Sequence, residues 1–331
     1  MAGLWSVIEP EATENLCYNP SFELGTTGYA AIAGVIAQST DNPPRGLYNL
    51  KCTPAAGVDD GCYYLTVSLA DATAHTYSLH FKGAVGIPYQ AYFATVGAAL
   101  KGTATEFTGD GAWHRYRVTW TTDAAAAFRL YVTKNNDADT DPFYVDAVQL
   151  EAKAYATTYV DGSLPAKIGF QTAGVYWAGE YHNSSSVRLG TSRMGGVVRD
   201  LQDYHLYISD MLGTTATGVR VIAKEYVQLP GALHDNTKVL PRTFALIGII
   251  GLDDYDDLLE SRAEVYKFIK PDLVRREPIL IRYSGAGSKT LEIAAHYRQG
   301  LEGGALAGFS ERVALRFQAM HPFWRDVIAD E

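Results

Sequence analysis

The sequence predicts a mostly β protein in two parts, a β-sandwich followed by an α+β domain with one main helix. Three observations lead there. Through about residue 160 the chain runs in short alternating stretches separated by turn residues. Over 161–200 Gly, Ser, Asn and Tyr take over, as in a linker or extended arm with room for one short hairpin. From 201 to 331 strand-like runs surround one stretch of helical spacing. Composition agrees: 47% hydrophobic and 20% charged residues suit a folded chain, and 331 residues are enough for two or three cores. Tyr is common, at 22 residues against 4 Met, and Tyr favours both strands and contact surfaces.

In the first part, Cys62–Leu69, Thr76–Lys82, His114–Thr121, Phe128–Thr133 and Phe143–Leu150 read as strands. Successive side chains of a strand point to opposite faces. Tyr77, Leu79 and Phe81 therefore fall on a core side, with Ser78, His80 and Lys82 opposite. Tyr116, Val118 and Trp120 oppose Arg115, Arg117 and Thr119 in the same way, and Phe128, Leu130 and Val132 oppose Arg129, Tyr131 and Thr133. The second member of each pairing forms a polar face rich in hydrogen-bonding groups. The aromatics of 161–200, Tyr176, Trp177 and Tyr181, call for something to pack against.

In the last part, Tyr204–Ser209, Val219–Val227, Arg242–Gly251, Pro278–Tyr283, Leu291–Tyr297 and Ser310–Ala319 read as strands. A helix is expected from about Asp254 to Phe268, with Leu258, Leu259, Arg262 and Tyr266 at helical spacing. Asp253, Asp254, Asp256 and Asp257 at its start and Lys267 and Lys270 at its end match the helix dipole, and Pro271 stops it.

The formal net charge is −9, with the acidic excess concentrated in the first half, so no clustered basic footprint for nucleic acid is present. Three cysteines are too few and too odd for a disulfide framework; Cys52 and Cys62 either face each other across a hairpin or stay as buried free thiols. The start of the chain lacks a basic region followed by an apolar run, and the longest apolar run, Phe244–Leu252, is too short for a bilayer span. Assembly in a cytoplasm is therefore expected. Ser284–Thr290 resembles a phosphate loop only in outline, since Ser288 stands before Lys289 and the segment lies between two strands; a hairpin turn is the expectation. Asp137, Asp139 and Asp141 alternate like a calcium loop, but Pro142 and Val148 occupy the positions that need Gly and Glu, so a solvated acidic turn is expected there, with a weak calcium site as the alternative. No nucleophile elbow, zinc-protease helix or Cys-x-x-Cys motif is present, and no catalytic residue is assigned.

Asn15-Leu-Cys-Tyr-Asn-Pro-Ser-Phe-Glu23 resembles the opening strand of jelly-roll carbohydrate-binding modules, and Tyr144-Val-Asp-Ala-Val-Gln-Leu-Glu151 resembles their closing strand. Ala156-Thr-Thr-Tyr-Val-Asp-Gly162 resembles the exit segment seen when such modules occur in phage structural proteins. The resemblance implies a structural calcium tying the opening and closing strands, at Glu23 and Asp146; the alternative is that both carboxylates bond to backbone or Arg. It further implies glycan contact through aromatic rings and polar side chains. The candidates are His80, Arg117 and Tyr131 on the polar face and Trp113 before a strand, each otherwise a surface or packing residue.

The order of elements over 201–331 is similar to the ring-forming, split-barrel domain of siphophage distal tail proteins. The matching stretches are Arg242–Gly251, the helix, Pro278–Tyr283, Tyr297–Glu302 and the closing phrase Val313–Trp324, where His321 stands in place of the usual Asp. Pro322, Phe323 and Trp324 are expected to pack on the barrel or on a neighbouring subunit. This second resemblance implies a non-enzymatic virion protein of the tail tip or baseplate. It would form a homohexameric ring that joins tail tube protein to hub protein, passes DNA only as cargo and presents the sandwiches to host surface glycans. The expected domains are 1–160 (sandwich), 161–200 (linker or arm) and 201–331 (ring domain), with the sandwich preceding the ring domain; no cofactor is required, and a structural calcium is the one option. The rivals are a carbohydrate-active enzyme and a trimeric receptor-binding protein.

Overall fold

The computed structural model describes residues 4–162, 175–190, 195–213, 219–225, 232–252, 255–270, 278–285, 290–301, 305–306, 310–321 and 323–327. The fold is mostly β, with one α-helix among these residues. It forms two compact units, Glu11–Val197 and, separately, the residues through Pro10 together with Val198–Val327.

Strand β1 (Leu4–Pro10) opens the chain. The Glu11–Val197 unit contains β2 (Thr13–Asn15), β3 (Tyr29–Ala31), β4 (Val35–Ser39), β5 (Asn49–Thr53), β6 (Gly61–Leu69), β7 (Ala74–Lys82), β8 (Pro88–Thr95), β9 (Leu100–Thr108), β10 (His114–Thr121), β11 (Ala126–Lys134), β12 (Phe143–Glu151), β13 (Val175–Trp177) and β14 (Ser186–Arg188). Two five-stranded antiparallel sheets, β10-β7-β12-β5-β4 and β3-β6-β11-β8-β9, make the jelly-roll sandwich. The alternation in β7 and β11 sends Tyr77, Leu79 and Phe81 from one sheet and Phe128, Leu130 and Val132 from the other into one core. Phe81 sits at its centre, with ring centroids 4.7 Å from Tyr89, 4.9 Å from Phe107 and 5.4 Å from Phe143. Each such side chain taken out of water contributes about 1.5–3 kcal/mol.

A third, small sheet runs β13-β14-β2. Ser186 lies opposite Asn15 and Arg188 opposite Thr13, so residues expected to form a linker supply the opening strand's hydrogen-bonding partner. The short hairpin expected in 161–200 is β13–β14, but as part of the sandwich unit and not of a separate linker, while β15 (Gly196–Asp200) pairs in the other unit's sheet.

The second unit continues with a short 3-10 turn (Leu201–Tyr204), β16 (Leu206–Leu212), β17 (Val219–Glu225), β18 (Ala232–Val239), β19 (Arg242–Gly251), α1 (Tyr255–Ile269), β20 (Ile279–Ser284), β21 (Thr290–Gln299), β22 (Ala305–Leu306), β23 (Ser310–Ala319) and β24 (Arg325–Val327). Its nine-stranded sheet runs β15-β1-β20-β21-β23-β19-β16, with β22 on β23 and β24 on β21; among the described strands β17 and β18 pair only with each other. Leu4–Val7 pairs with Ser284–Ile281, and Trp5 packs on Tyr283 at 4.7 Å. The apolar residues of β1 find their partners here and not in the sandwich, which corrects the 1–160 boundary. In chain order the sandwich is an insertion between the first two strands of this unit, and not a module that precedes it.

Helix α1 starts with Asp256 and Asp257 and ends near Lys267, as the dipole requires. Its buried face is Leu258, Val265, Phe268 and Ile269, whereas Leu259 and Tyr266 are exposed and Arg262 reaches Glu311 at 3.4 Å. The expected stripe is thus rotated, with only Leu258 kept in the core. Pro271 and Asp253–Asp254 lie outside the described residues. So do residues 286–289; the flanking strands pair Ser284 with Thr290, as a hairpin requires.

Candidate functional site

The opening, closing and exit segments of the sandwich are tied together by buried polar groups. Asn15 Nδ2 donates to the carbonyls of Val148 (2.9 Å) and Val160 (3.2 Å), and its Oδ1 accepts from the N–H of Cys17 and Leu150. Glu151, fully buried, accepts at Oε1 from the hydroxyls of Thr13 and Thr157, both 2.6 Å, and at Oε2 from Gln149 Nε2 (2.6 Å) and the Thr157 N–H (3.0 Å). Two guanidinium groups complete the assembly. Arg115 donates to the Thr157 carbonyl at 2.7 Å and to Ser78 Oγ at 2.9 Å. Arg188 donates to the carbonyls of Glu11 and Thr158, both 3.0 Å, and to Thr157 Oγ1 at 2.9 Å. Burial lowers the Arg188 pKa to about 10, against the pull of the Glu151 and Glu11 charges, so its cation persists at neutral pH.

The two residues expected to hold calcium converge on one loop. Glu23 Oε1 accepts from the Leu47 N–H at 2.6 Å, and Asp146 Oδ2 accepts from the Arg45 N–H at 2.9 Å. Asp146 Oδ1 takes the N–H of Ala147 at 2.7 Å, in a bulge where Ala147 has a φ of 46°. Asp146 is fully buried, and burial pushes its carboxyl well above the usual range, with the nearby Asp161 charge acting in the same direction. Asp161 itself accepts from Ser21 Oγ at 2.8 Å and Tyr159 Oη at 3.2 Å. Among the described residues no group of three or more His, Cys, Asp or Glu side chains is arranged to hold a metal ion. The oxygen donors suit a hard cation, which would need backbone carbonyls besides Glu23, Asp146 and Asp161. In the Asp137–Asp141 loop the carboxylates are used locally: Asp137 accepts from the Asp139 N–H and Asp139 from the Asp141 N–H.

The four residues expected to contact glycan are not brought together. His80 and Arg117 lie on β7 and β10 of one sheet, Trp113 precedes β10, and Tyr131 lies on β11 of the other sheet. His80 is fully buried between its cross-strand neighbours Arg115 and Asp146, because the 153–161 segment covers this polar face. Arg117 remains exposed. Trp113 is half-buried, 6.5 Å from the Tyr144 ring, which also receives Lys82 at 5.2 Å.

Tyr131 is only 3% exposed although it points away from the core. Its cross-strand partners are Tyr63 and Tyr92, and the three rings stack at 5.1 Å with interplanar angles of 28° and 4°. Both faces of Tyr131 are taken, so it cannot serve as a lone stacking platform. Arg129 extends the row, 4.6 Å from the Tyr63 centroid. Sequence reasoning found the row's middle and missed its ends. The signal was present in Tyr63 and Tyr92, whose places in the alternation of β6 and β8 match that of Tyr131.

In the second unit Trp324 packs inward, 6.2 Å from Trp5 and 6.0 Å from Phe244, while Phe323 is 65% exposed. Pro322 lies outside the described residues. The closing phrase therefore has one anchoring and one outward aromatic. At the β16 end of the sheet Tyr207 and its cross-strand partner Ile249 are both exposed, as is Leu212.

No family model matches the chain, and no curated protein does. Among solved structures the chain is similar to the SPP1 Dit protein, a paradigm of the hub adsorption apparatus in phages that infect Gram-positive bacteria. The identity is 17% and the TM-score 0.31, over 38% of this chain and 48% of that one. It is also similar to a family 16 carbohydrate-binding module, at 19% identity and a TM-score of 0.33, over 41% of this chain and 99% of the module. A third similarity is to an arabinose-bound α-L-arabinofuranosidase, at 13% identity and a TM-score of 0.36, over 42% of this chain and 26% of that one. The chain thus spans about a quarter of the arabinofuranosidase and about half of the phage protein.

Proposed function

We propose that the protein is a non-enzymatic structural component of a phage-type tail tip, a homohexameric ring between tail tube and hub that carries the inserted sandwich as a glycan-binding module. The observation that supports this reading best is the open sheet of the second unit. Among the described strands it ends at β15 on one side and β16 on the other, and the β16 end presents Tyr207, Leu212 and Ile249 to solvent. Two unlike ends favour head-to-tail contact between copies, which closes into a ring when the rotation per subunit allows. Open edges otherwise invite unlimited pairing. A bulge between Ile208 and Asp210 breaks the regularity of β16 and limits such pairing to a matched partner. Phe323 is a second contact point for tube or hub protein, and DNA passes as cargo. The virion is the place of action, after assembly in the host cytoplasm.

On this reading the Tyr63–Tyr131–Tyr92 row with Arg129 offers glycans ring edges, hydroxyls and a guanidinium, and Trp113 and Arg117 lie on the opposite sheet. A structural calcium at Glu23 and Asp146, with Asp161, would neutralise buried carboxylates that lack full solvation.

Light scattering and negative-stain imaging of the purified chain test the ring. A sixfold particle with a central hole is expected, reduced to monomers by Tyr207→Asp with Leu212→Asp while the circular dichroism of the fold is kept. A particle unaffected by this double substitution, or a trimer, overturns the edge-to-edge ring.

A further inference from the structure

Two of the three cysteines stand at the base of one crossover. Cys52 is the next-to-last residue of β5 in the first sheet, and Cys62 is the second residue of β6 in the second sheet. They are therefore not paired across a hairpin. Both are buried in the one sandwich core, where β5 and β6 come close together, and the Cys52 side chain acts directly on the Cys62 thiol. The connecting segment is held in place: Asp60 Oδ2 accepts from the Gly57 N–H at 2.8 Å, and the Lys134 N–H donates to the Asp60 carbonyl at 3.1 Å. A disulfide needs Cα atoms about 4.4–6.8 Å apart, and the two ends of this crossover are where β5 and β6 come into contact.

We propose that Cys52 and Cys62 form an oxidation site, closing an intersheet disulfide when the protein meets a small disulfide oxidant. The chemistry balances by exchange. One cysteine, as its thiolate, attacks the oxidant's S–S bond and releases one oxidant thiolate, leaving a mixed disulfide. The second cysteine's sulfur attacks that bond, forms Cys52–Cys62 and releases the other thiolate. The two thiol protons go to water, and the oxidant gains the two electrons. The neighbouring Cys52 side chain, and after it burial, push the Cys62 thiol up, so attack proceeds through brief opening of the crossover and is slow in the closed fold. The closed state is the reduced, assembly-compartment form; oxidation then constrains the unfolded chain and raises stability.

The full chain is held in glutathione redox buffer below its unfolding transition, and a parallel sample is refolded from urea in the same buffer. Both are then denatured and alkylated with iodoacetamide. Reduced protein takes three alkyl groups, one per cysteine. The expectation after oxidation is one alkyl group, on Cys17, a peptide map linking Cys52 to Cys62, and a melting midpoint above that of the reduced form. A Cys17→Ser chain should fall from two alkyl groups to none. Three alkyl groups in both arms, a link that includes Cys17, stable glutathione adducts, or a lowered midpoint would each overturn the assignment.

Discussion

The two outer faces of the sandwich carry the same alternating pattern and meet opposite fates. On the β10-β7-β12-β5-β4 sheet the outward residues Ser78, His80, Arg115, Gln149 and Glu151 are buried under the chain's own exit segment. On the other sheet the outward residues Tyr63, Tyr131 and Tyr92 stack side by side, with Tyr63 and Tyr92 half-buried at the two ends. Alternation sorts side chains relative to the sandwich core; it does not say what covers the other side. A polar outward face accepts a second layer only if every group finds a partner, and Thr157 supplies partners to Arg115, Arg188 and Glu151 at once. An aromatic outward face needs no such cover, because its rings bury one another.

This contrast can be broken most strongly at Glu151. Replacing Glu151 by Ala leaves Arg188 buried beside an empty site and is expected to cost about 3–5 kcal/mol in urea unfolding of the sandwich. A loss below about 1 kcal/mol would mean that the exit segment covers the face without anchoring it. Tyr131→Ala removes the centre of the aromatic row and should cost about 3 kcal/mol, in the range of large buried ring truncations. Tyr131→Phe keeps the stack; it should leave the melting midpoint nearly unchanged and lower retention on glycan-coated resin if the hydroxyl edge binds sugar. The smallest effect concerns pH. The Asp146 carboxyl is raised in the folded state, so the folded protein holds its proton more tightly than the unfolded chain. Its contribution is complete below the ordinary carboxyl range and is lost as pH rises through the raised pKa. In metal-free buffer, Asp146→Asn should remove that decline and leave the chain slightly more stable at neutral pH. Added calcium should raise the wild-type midpoint and leave Asp146→Asn and Glu23→Ala unmoved; a chelator without effect on wild type removes the calcium.

Much of the fold was legible. Strands β6, β7, β10, β11 and β12 follow from alternation within two residues at their ends, and β19 and β23 match at both ends. Strands β8 and β9 were not read. Pro88 opens β8, and Leu100–Thr108 is mostly exposed or half-buried, so no apolar period marks it. Strand β1 is apolar enough to be a strand, but nothing local says that its partner is β20. The motif residues Asn15 and Glu151 were visible as a resemblance, and the structure supplies their physical role as the knot between chain segments. Arg188 was invisible, since an Arg in a Gly- and Ser-rich stretch reads as solvated. Its burial depends on Thr157 and Thr158 arriving from another segment.

The position of β1 has a consequence for the order of events on the ribosome. Strand β1 lies between β15 and β20, so it can bond only after the whole sandwich has been made, and its Leu4–Ser284 pairing waits longer still. Every strand of the sandwich lies between them, contiguous within Glu11–Val197. The sandwich can therefore close while synthesis continues, and its closure shortens the effective loop that β1 must span from a long floppy chain to a folded bead with two nearby exits. Folding of the second unit is in this sense timed by the sandwich, and a substitution that slows sandwich closure should delay a sheet in which it makes no strand.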